Sequence, residues 1–154
     1  MLSKTAIYKA AVFCYDVMVK TGNNGNWFMQ TEDRRTAKRK TGDSGEDAAC
    51  RLLEREGYTI AARNYSCRMG EIDIIAVNPD EKLFAFVEVK TRRSTAFGMP
   101  SEAVDRKKQQ KLRRCAELYM LRCGIPGGFQ PSMDIIEIIR ADSGLYGRHL
   151  KNAF

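Results

Sequence analysis

Apolar and polar positions first settle into a regular pattern at Asp43. Over DSGEDAACRLLEREG, Ala49, Leu52 and Leu53 mark one face of a helix, with Asp43 as its N-cap, Glu46 three residues on and Gly57 as its stop. Tyr58 to Ala62 alternates apolar and polar like a short strand. Ile72–Val77 and Leu83–Lys90 are apolar on both faces, the pattern of strands covered on both sides, and Asn78-Pro79-Asp80 marks a turn between them. An amphipathic helix follows over Asp105–Cys123, ended by a Gly/Pro-rich stretch, and Met133–Ile139 reads as one more strand. The order α-β-β-β-α-β predicts an α/β fold, a mixed sheet flanked by helices, over residues 42–154. Residues 1–41 are Gly/Asn-rich and then basic after a stretch, Ala6–Val19, that could form a short helix. They predict an arm or linker that the core does not need for folding.

Composition narrows the chemistry. The 154 residues carry 26 Lys+Arg against 19 Asp+Glu, a net charge of +7. One domain with a single core fits that length. Lys9 and Asp16 interrupt the apolar N-terminal stretch, so no export signal is expected, and no run is long enough to span a bilayer. Five cysteines without a Cys-x-x-Cys pair argue against a disulfide framework or a thiolate zinc site and point to a reducing, cytoplasmic setting. With one histidine, His149, the sequence disfavours His-metal nuclease motifs, Ser-His-Asp triads and most zinc hydrolases. Carboxylates and lysines are left to do any catalysis.

Three charged residues interrupt the otherwise apolar strands: Asp73, Glu88 and Lys90. Buried charge is costly unless it is paired or metal-bound. If Asn78 pairs with Leu83 across the Pro79–Lys82 loop, the register places Asp73 opposite Glu88, with Cβ atoms about 5 Å apart. Lys90 lies two residues on, on the face that Glu88 occupies. Glu46 shares the apolar face of its helix with Ala49 and Leu53 and is a fourth candidate; the competing reading makes it half of a capping box with Asp43. The plainer reading of the strand charges is an internal salt bridge, which leaves one carboxylate unpaired. A divalent cation resolves that imbalance: Mg²⁺ or Mn²⁺ takes carboxylate oxygens and water and needs no histidine. A lysine beside it can orient or deprotonate a water, or stabilise charge developing on a phosphate.

These residues resemble a known pattern. Asp73 followed by Glu88-Val89-Lys90 resembles the PD-(D/E)xK nuclease signature shared by restriction endonucleases and archaeal Holliday junction resolvases. The longer pattern is more specific: Gly45-Glu46, Gly57-Tyr58, Arg63-Asn64-Tyr65, Gly70-Glu71-Ile72-Asp73, Phe86 to Arg92, Phe97-Gly98 and Lys108-Gln109. It is similar to the YraN-like family of endonuclease-like proteins over about residues 42–140, and His149 to Phe154 also resembles that family's end. The resemblance implies a restriction-endonuclease-like core. It also implies that Asp73 and Glu88 are metal ligands with the Val89 carbonyl as a third, that Lys90 is the catalytic lysine, and that Glu46 is the helix carboxylate of the site. Two departures are visible: residues 1–41 have no counterpart in the family, and Gln130 to Asp134 lacks the expected Arg-Phe-Asp, although Asp134 is kept.

From Lys90 to Arg114 nine basic residues face two acidic ones. Such an excess next to the candidate site suits a phosphate backbone. Arg92, Arg93, Lys107, Lys108, Lys111 and Arg114 are the candidate nucleic-acid contacts, against the plainer reading of a solvated basic face. Lys108 falls in phase with Leu112, Cys115 and Tyr119 on the inner face of its helix, so it is the one aimed at the site. The expectation is a Mg²⁺- or Mn²⁺-dependent nuclease acting on DNA, including branched or flapped forms; the alternative is a nucleic-acid-binding module of the same fold with little or no cleavage. Cutting two strands in the resolvase manner would call for a homodimer.

Overall fold

Seven elements follow one another in the computed structural model, which describes residues 37–93, 104–125, 127–142 and 144–154, with side chains of the first helix from Gly45 onward. They are α1 (Ala37–Arg55), β1 (Thr59–Cys67), β2 (Gly70–Asn78), β3 (Leu83–Arg92), α2 (Arg106–Cys123), β4 (Gln130–Ala141) and β5 (Gly144–Leu150). The sheet runs β1-β2-β3-β4-β5. Every neighbouring pair is antiparallel except β3 and β4, which are parallel. A parallel pair needs a crossover, and α2 supplies it. The fold is therefore a mixed α/β sandwich, consistent with a restriction-endonuclease-like core.

The two apolar faces of β2 and β3 each find a helix. Under α2, Leu112, Cys115, Ala116 and Tyr119 pack on Ile75, Val77, Phe84 and Phe86. Under α1, Ala49 and Leu53 pack with Ile74, Ala76, Ala85 and Val87. Burial on both sides, at about 1.5–3 kcal/mol for each large aliphatic side chain, is why these strands read as continuous apolar runs. Their hairpin is set locally. Asn78 Oδ1 accepts from the Asp80 and Glu81 amides at 3.1 and 3.0 Å, and Lys82 takes a positive φ of 54°. This Asx turn holds the predicted Asn78–Leu83 pairing, and the register then runs inward to Ile74–Val87.

The structure lengthens every expected strand, β4 to Gln130–Ala141 against the expected Met133–Ile139, and its larger departures are the start of the first helix, the reach of β1 and an added strand. The first helix begins at Ala37, ahead of Asp43, so Asp43 lies inside it and the Asp43–Glu46 capping box is not the helix start. Ala37 to Lys40 are good helix formers, and an internal glycine such as Gly42 costs only about 1 kcal/mol, too little to stop them. Its end is as expected: Gly57, at φ 85°, closes a Schellman turn in which the Tyr58 amide donates to Leu53 O (2.9 Å) and the Gly57 amide to Glu54 O (3.2 Å). Strand β1 continues to Cys67, past the expected Ala62. A register shift between Ile60 and Ala62 and a left-handed Asn64 (φ 51°) break its alternation, so Ala62 and Tyr65 are both buried although three residues apart. The extra strand β5 is mostly exposed, and its glycines leave no apolar alternation to read. The predicted helix within Ala6–Val19, residues 1–36 of the expected 1–41 arm and the Phe97-Gly98 motif lie outside the described residues, while Ala37 to Thr41 of that arm belong to α1.

A buried polar network joins β4, β5 and the end of α1. Asp134, fully buried, accepts from the Asn152 amide (3.0 Å) and from Ser132, and contacts His149 Nε2 at 2.9 Å. The other ring nitrogen, Nδ1, lies 2.6 Å from Glu56 Oε2. Among the described residues, no helix is long and apolar enough to cross a membrane.

Candidate active site

Strands β2 and β3 cease to pair one step beyond Ile74 and Val87, where the register would set Asp73 against Glu88. The Asp73 carboxylate takes over there: its Oδ2 accepts the Val89 amide at 2.7 Å. Two adjacent carboxylates are thus held at the open end of the hairpin. Glu88 is 3% exposed, and its Oε1 receives both Lys90 Nζ (2.8 Å) and Lys108 Nζ. Its Oε2 is buried with no hydrogen-bond partner.

Lys90 arrives along β3 itself, two residues past Glu88, as strand alternation requires. Lys108 arrives from the first turn of α2, which Asp105 caps by accepting the Lys108 amide (2.8 Å). Burial alone would lower the Lys108 pKa, but its hydrogen bond and charge pairing with Glu88 outweigh this and raise it. The family-like Gly45 explains how α1 reaches this end of the sheet. A Cβ there would collide with Thr91 Oγ1, so only glycine lets the helix lie against β3 beside Lys90. The neighbouring Glu46 is close enough for its charge to raise the Asp73 pKa, yet its carboxylate is held by β1, with Asn64 Nδ2 at 3.2 Å and Arg63 at 3.6 Å. Arg63 also pairs with Asp47 at 2.8 Å.

Asp73, Glu88 and Lys90 are therefore brought together, Lys108 joins them, and Glu46 stands beside them on the arm of β1. Val89 contributes its amide to Asp73. Of the candidate nucleic-acid contacts, Arg92 is tied to the buried Glu137 (3.2 Å), whereas Arg93, Lys107, Lys111 and Arg114 are exposed. Lys107, Lys108 and Lys111 line a cleft of about 420 Å³ between the start of α2 and the β1–β2 turn, where Ser66 and Gly70 form the other wall. The holding of Glu46 by Arg63 and Asn64 was not foreseen; its only sequence signal is the Arg63-Asn64-Tyr65 motif of the resemblance. The His149 network had none, because its partners are far apart in the chain.

Burial pushes the Asp73 carboxyl up to about 7, and the charge of Glu88 adds to the rise; the Val89 amide opposes it, Glu46 adds to it, and Lys108 opposes it. A carboxylate destabilised by its neighbour, beside an orphaned buried carboxylate oxygen, is a donor set that a divalent cation fits. Among the described residues no three His, Cys, Asp or Glu side chains group as a ready-made cage, so Asp73 and Glu88 would hold the ion together with water or substrate oxygens. The raised Asp73 pKa makes a stability prediction. Between about pH 4 and 7 the folded protein holds a proton that the unfolded chain releases, so this residue makes stability fall as pH rises through that window. Asp73→Asn should therefore be more stable than wild type by about 1–4 kcal/mol at pH 8, with the gap closing below about pH 4. Urea melts across pH check this; a gap independent of pH would mean that Asp73 is not strained.

Comparison with known proteins places this chain in a family. The model of the uncharacterised protein family UPF0102 matches residues 45–138, which span both carboxylates and both lysines. A UPF0102 protein of Caldanaerobacter subterraneus subsp. tengcongensis is 40% identical over 124 residues, covering 79% of this chain and 99% of its own. A UPF0102 protein of Pelobacter propionicus is 36% identical over 137 residues, 88% of this chain and 97% of its own. One from Clostridium botulinum is 40% identical over 115 residues, 73% and 92% of the two chains.

Proposed function

We propose that this chain, which belongs to the uncharacterised protein family UPF0102, is a metal-dependent nuclease of the PD-(D/E)xK type that hydrolyses DNA phosphodiesters. The observation that carries the reading is the meeting of Asp73 and Glu88 at the open end of the β2–β3 hairpin, where Glu88 Oε1 takes both lysine ammonium groups and its buried Oε2 is left without a partner. Asp73 and Glu88 would hold Mg²⁺ or Mn²⁺, with the Val89 carbonyl and Glu46 as further candidate ligands. The ion, when bound, supplies positive charge to the phosphoryl oxygens and lowers the pKa of water. Lys90, whose ammonium lies against Glu88, would orient the attacking water and stabilise charge on the phosphate. The exposed Arg93, Lys107, Lys111 and Arg114 would take backbone phosphates, which predicts binding that weakens steeply with salt.

A second reading has an observation of its own. Two lysines already neutralise Glu88, and no three-ligand cage is present among the described residues. That suits a nucleic-acid-binding module that uses the fold without cleaving. One experiment separates the two: incubation of the full chain with single-stranded, duplex, flap and four-way-junction DNA, with Mn²⁺, Mg²⁺ or chelator. Metal-dependent nicking lost in Asp73→Ala supports the nuclease. DNA binding without any cleavage under all conditions would leave the binding module.

A further inference from the structure

Lys108 stands in an unusual place for a residue of a basic helix face. Its ammonium and that of Lys90 share one oxygen, Glu88 Oε1. Lys90 reaches it from the same strand, two residues past Glu88. Lys108 reaches across from α2, and its side chain is 40% exposed. Its backbone amide is held by the Asp105 cap, so a displacement of its ammonium would be made by the side chain. Its charge acts on Asp73 as well as on Glu88. The Lys108 ammonium thus supplies positive charge to both carboxylates that would hold a divalent cation. On its other side lies the cleft shared with Lys107 and Lys111, open space into which the same side chain can turn.

We infer that Lys108 is a resident counter-ion of the Glu88–Asp73 pair, displaced by the divalent cation and then available to a DNA backbone phosphate in the cleft. This rests on the metal-dependent reading above and adds a coupling to it. An ion entering between Glu88 and Asp73 meets a like charge that must leave, so the empty cleft lowers metal affinity. A phosphate in the cleft gives that charge somewhere to go, so DNA raises metal affinity; by reciprocity, metal raises DNA affinity. Lys90 is not a substitute, because it does not line the cleft. The arrangement favours loading of the ion where substrate is present.

The test is a Mn²⁺ titration by calorimetry of the full chain, comparing wild type, Lys108→Gln and Lys108→Arg. A second arm uses fluorescein-labelled duplex, checked by gel to be uncut during the measurement. Without DNA, Lys108→Gln should bind Mn²⁺ about tenfold more tightly than wild type, because one ammonium no longer competes, while Lys108→Arg keeps the competition and stays near wild type. Duplex should tighten Mn²⁺ binding several-fold in wild type and not in Lys108→Gln. A merely structural lysine would not give this pattern of charge removal and rescue. Metal binding in wild type that Lys108→Gln leaves unchanged or weakens overturns the counter-ion role and leaves the nuclease reading standing. No Mn²⁺ binding by any of the three proteins, with duplex present, overturns both.

Discussion

On the proposed nuclease reading, Asp73→Ala and Glu88→Gln proteins should lose metal-dependent DNA cleavage by about a thousandfold or more while remaining folded, since each loses a carboxylate proposed to hold the ion. The fold should survive for a reason specific to this site. Asp73 is ionised at a cost, because burial and the charge of Glu88 hold its carboxyl near 7. Removing it relieves that repulsion and sacrifices one acceptor, that of the Val89 amide, worth about 1 kcal/mol. Glu88→Gln keeps the size of a side chain that is almost fully enclosed and still offers an oxygen to the two lysines. Lys90→Ala should behave differently. Metal affinity should persist, because both carboxylates remain, and single-turnover cleavage should fall by about 10²–10⁴-fold, the range of a lost acid–base group. Single-turnover rates beside Mn²⁺ titrations of the same variants test the division of roles. Wild-type cleavage by Asp73→Ala would place any nuclease activity elsewhere in the molecule.

The second large effect is expected far from this site, in stability. His149→Ala should cost about 3–5 kcal/mol, because it strips the charge partner from a fully buried Asp134. The ring is itself enclosed and packs edge-on against Tyr58, with ring centroids 5.7 Å apart. Burial pulls the His149 pKa down, but the hydrogen bonds and charges of Asp134 and Glu56 outweigh it and leave the pKa raised. A raised imidazole pKa means that the folded state binds the proton more tightly. The resulting stabilisation is complete below the ordinary imidazole value of about 6.5 and is lost as pH rises through the folded value. Wild type should therefore be more stable at pH 6 than at pH 9. His149→Ala should lose this upper part of the pH dependence and keep the lower part that belongs to Asp73. Urea unfolding at closely spaced pH values separates the two windows. A His149→Ala protein as stable as wild type at pH 6 would show that Asp134 is satisfied by Ser132 and Asn152 alone.

The sequence by itself determined what depends on neighbours in the chain. Asn78 closes its turn through the amides of Asp80 and Glu81, two and three residues on, so the β2–β3 register and the opposition of Asp73 and Glu88 follow from a local hydrogen-bond pattern. Two-sided burial of both strands wrote itself into the continuous apolar runs, Lys90 took its face from the alternation of β3, and Asp105 capped α2 from three residues away. Helical phase offered Glu46, which the family pattern favoured over the capping box; the same pattern added Gly45, whose place beside Thr91 no periodicity predicts. Tertiary structure decided the rest. The start of α1 and the length of β1 were hidden because propensity and alternation are weak where a glycine is tolerated or where a left-handed Asn64 shifts the phase. Strand β5 has no signal of its own, since an exposed edge strand is held by the ladder of β4 rather than by an apolar pattern. Helical phase brought Lys108 to the inner face of α2, but only the crossover laid that helix over the sheet and set its ammonium on Glu88, 20 residues back along the chain. Glu56 and His149 stand 93 residues apart and meet only because the end of α1 reaches the edge of the sheet that β5 forms. Local chemistry is legible along the chain because its partners lie within a turn of one another; charges that meet across the sheet are placed by packing, which no short stretch of sequence encodes.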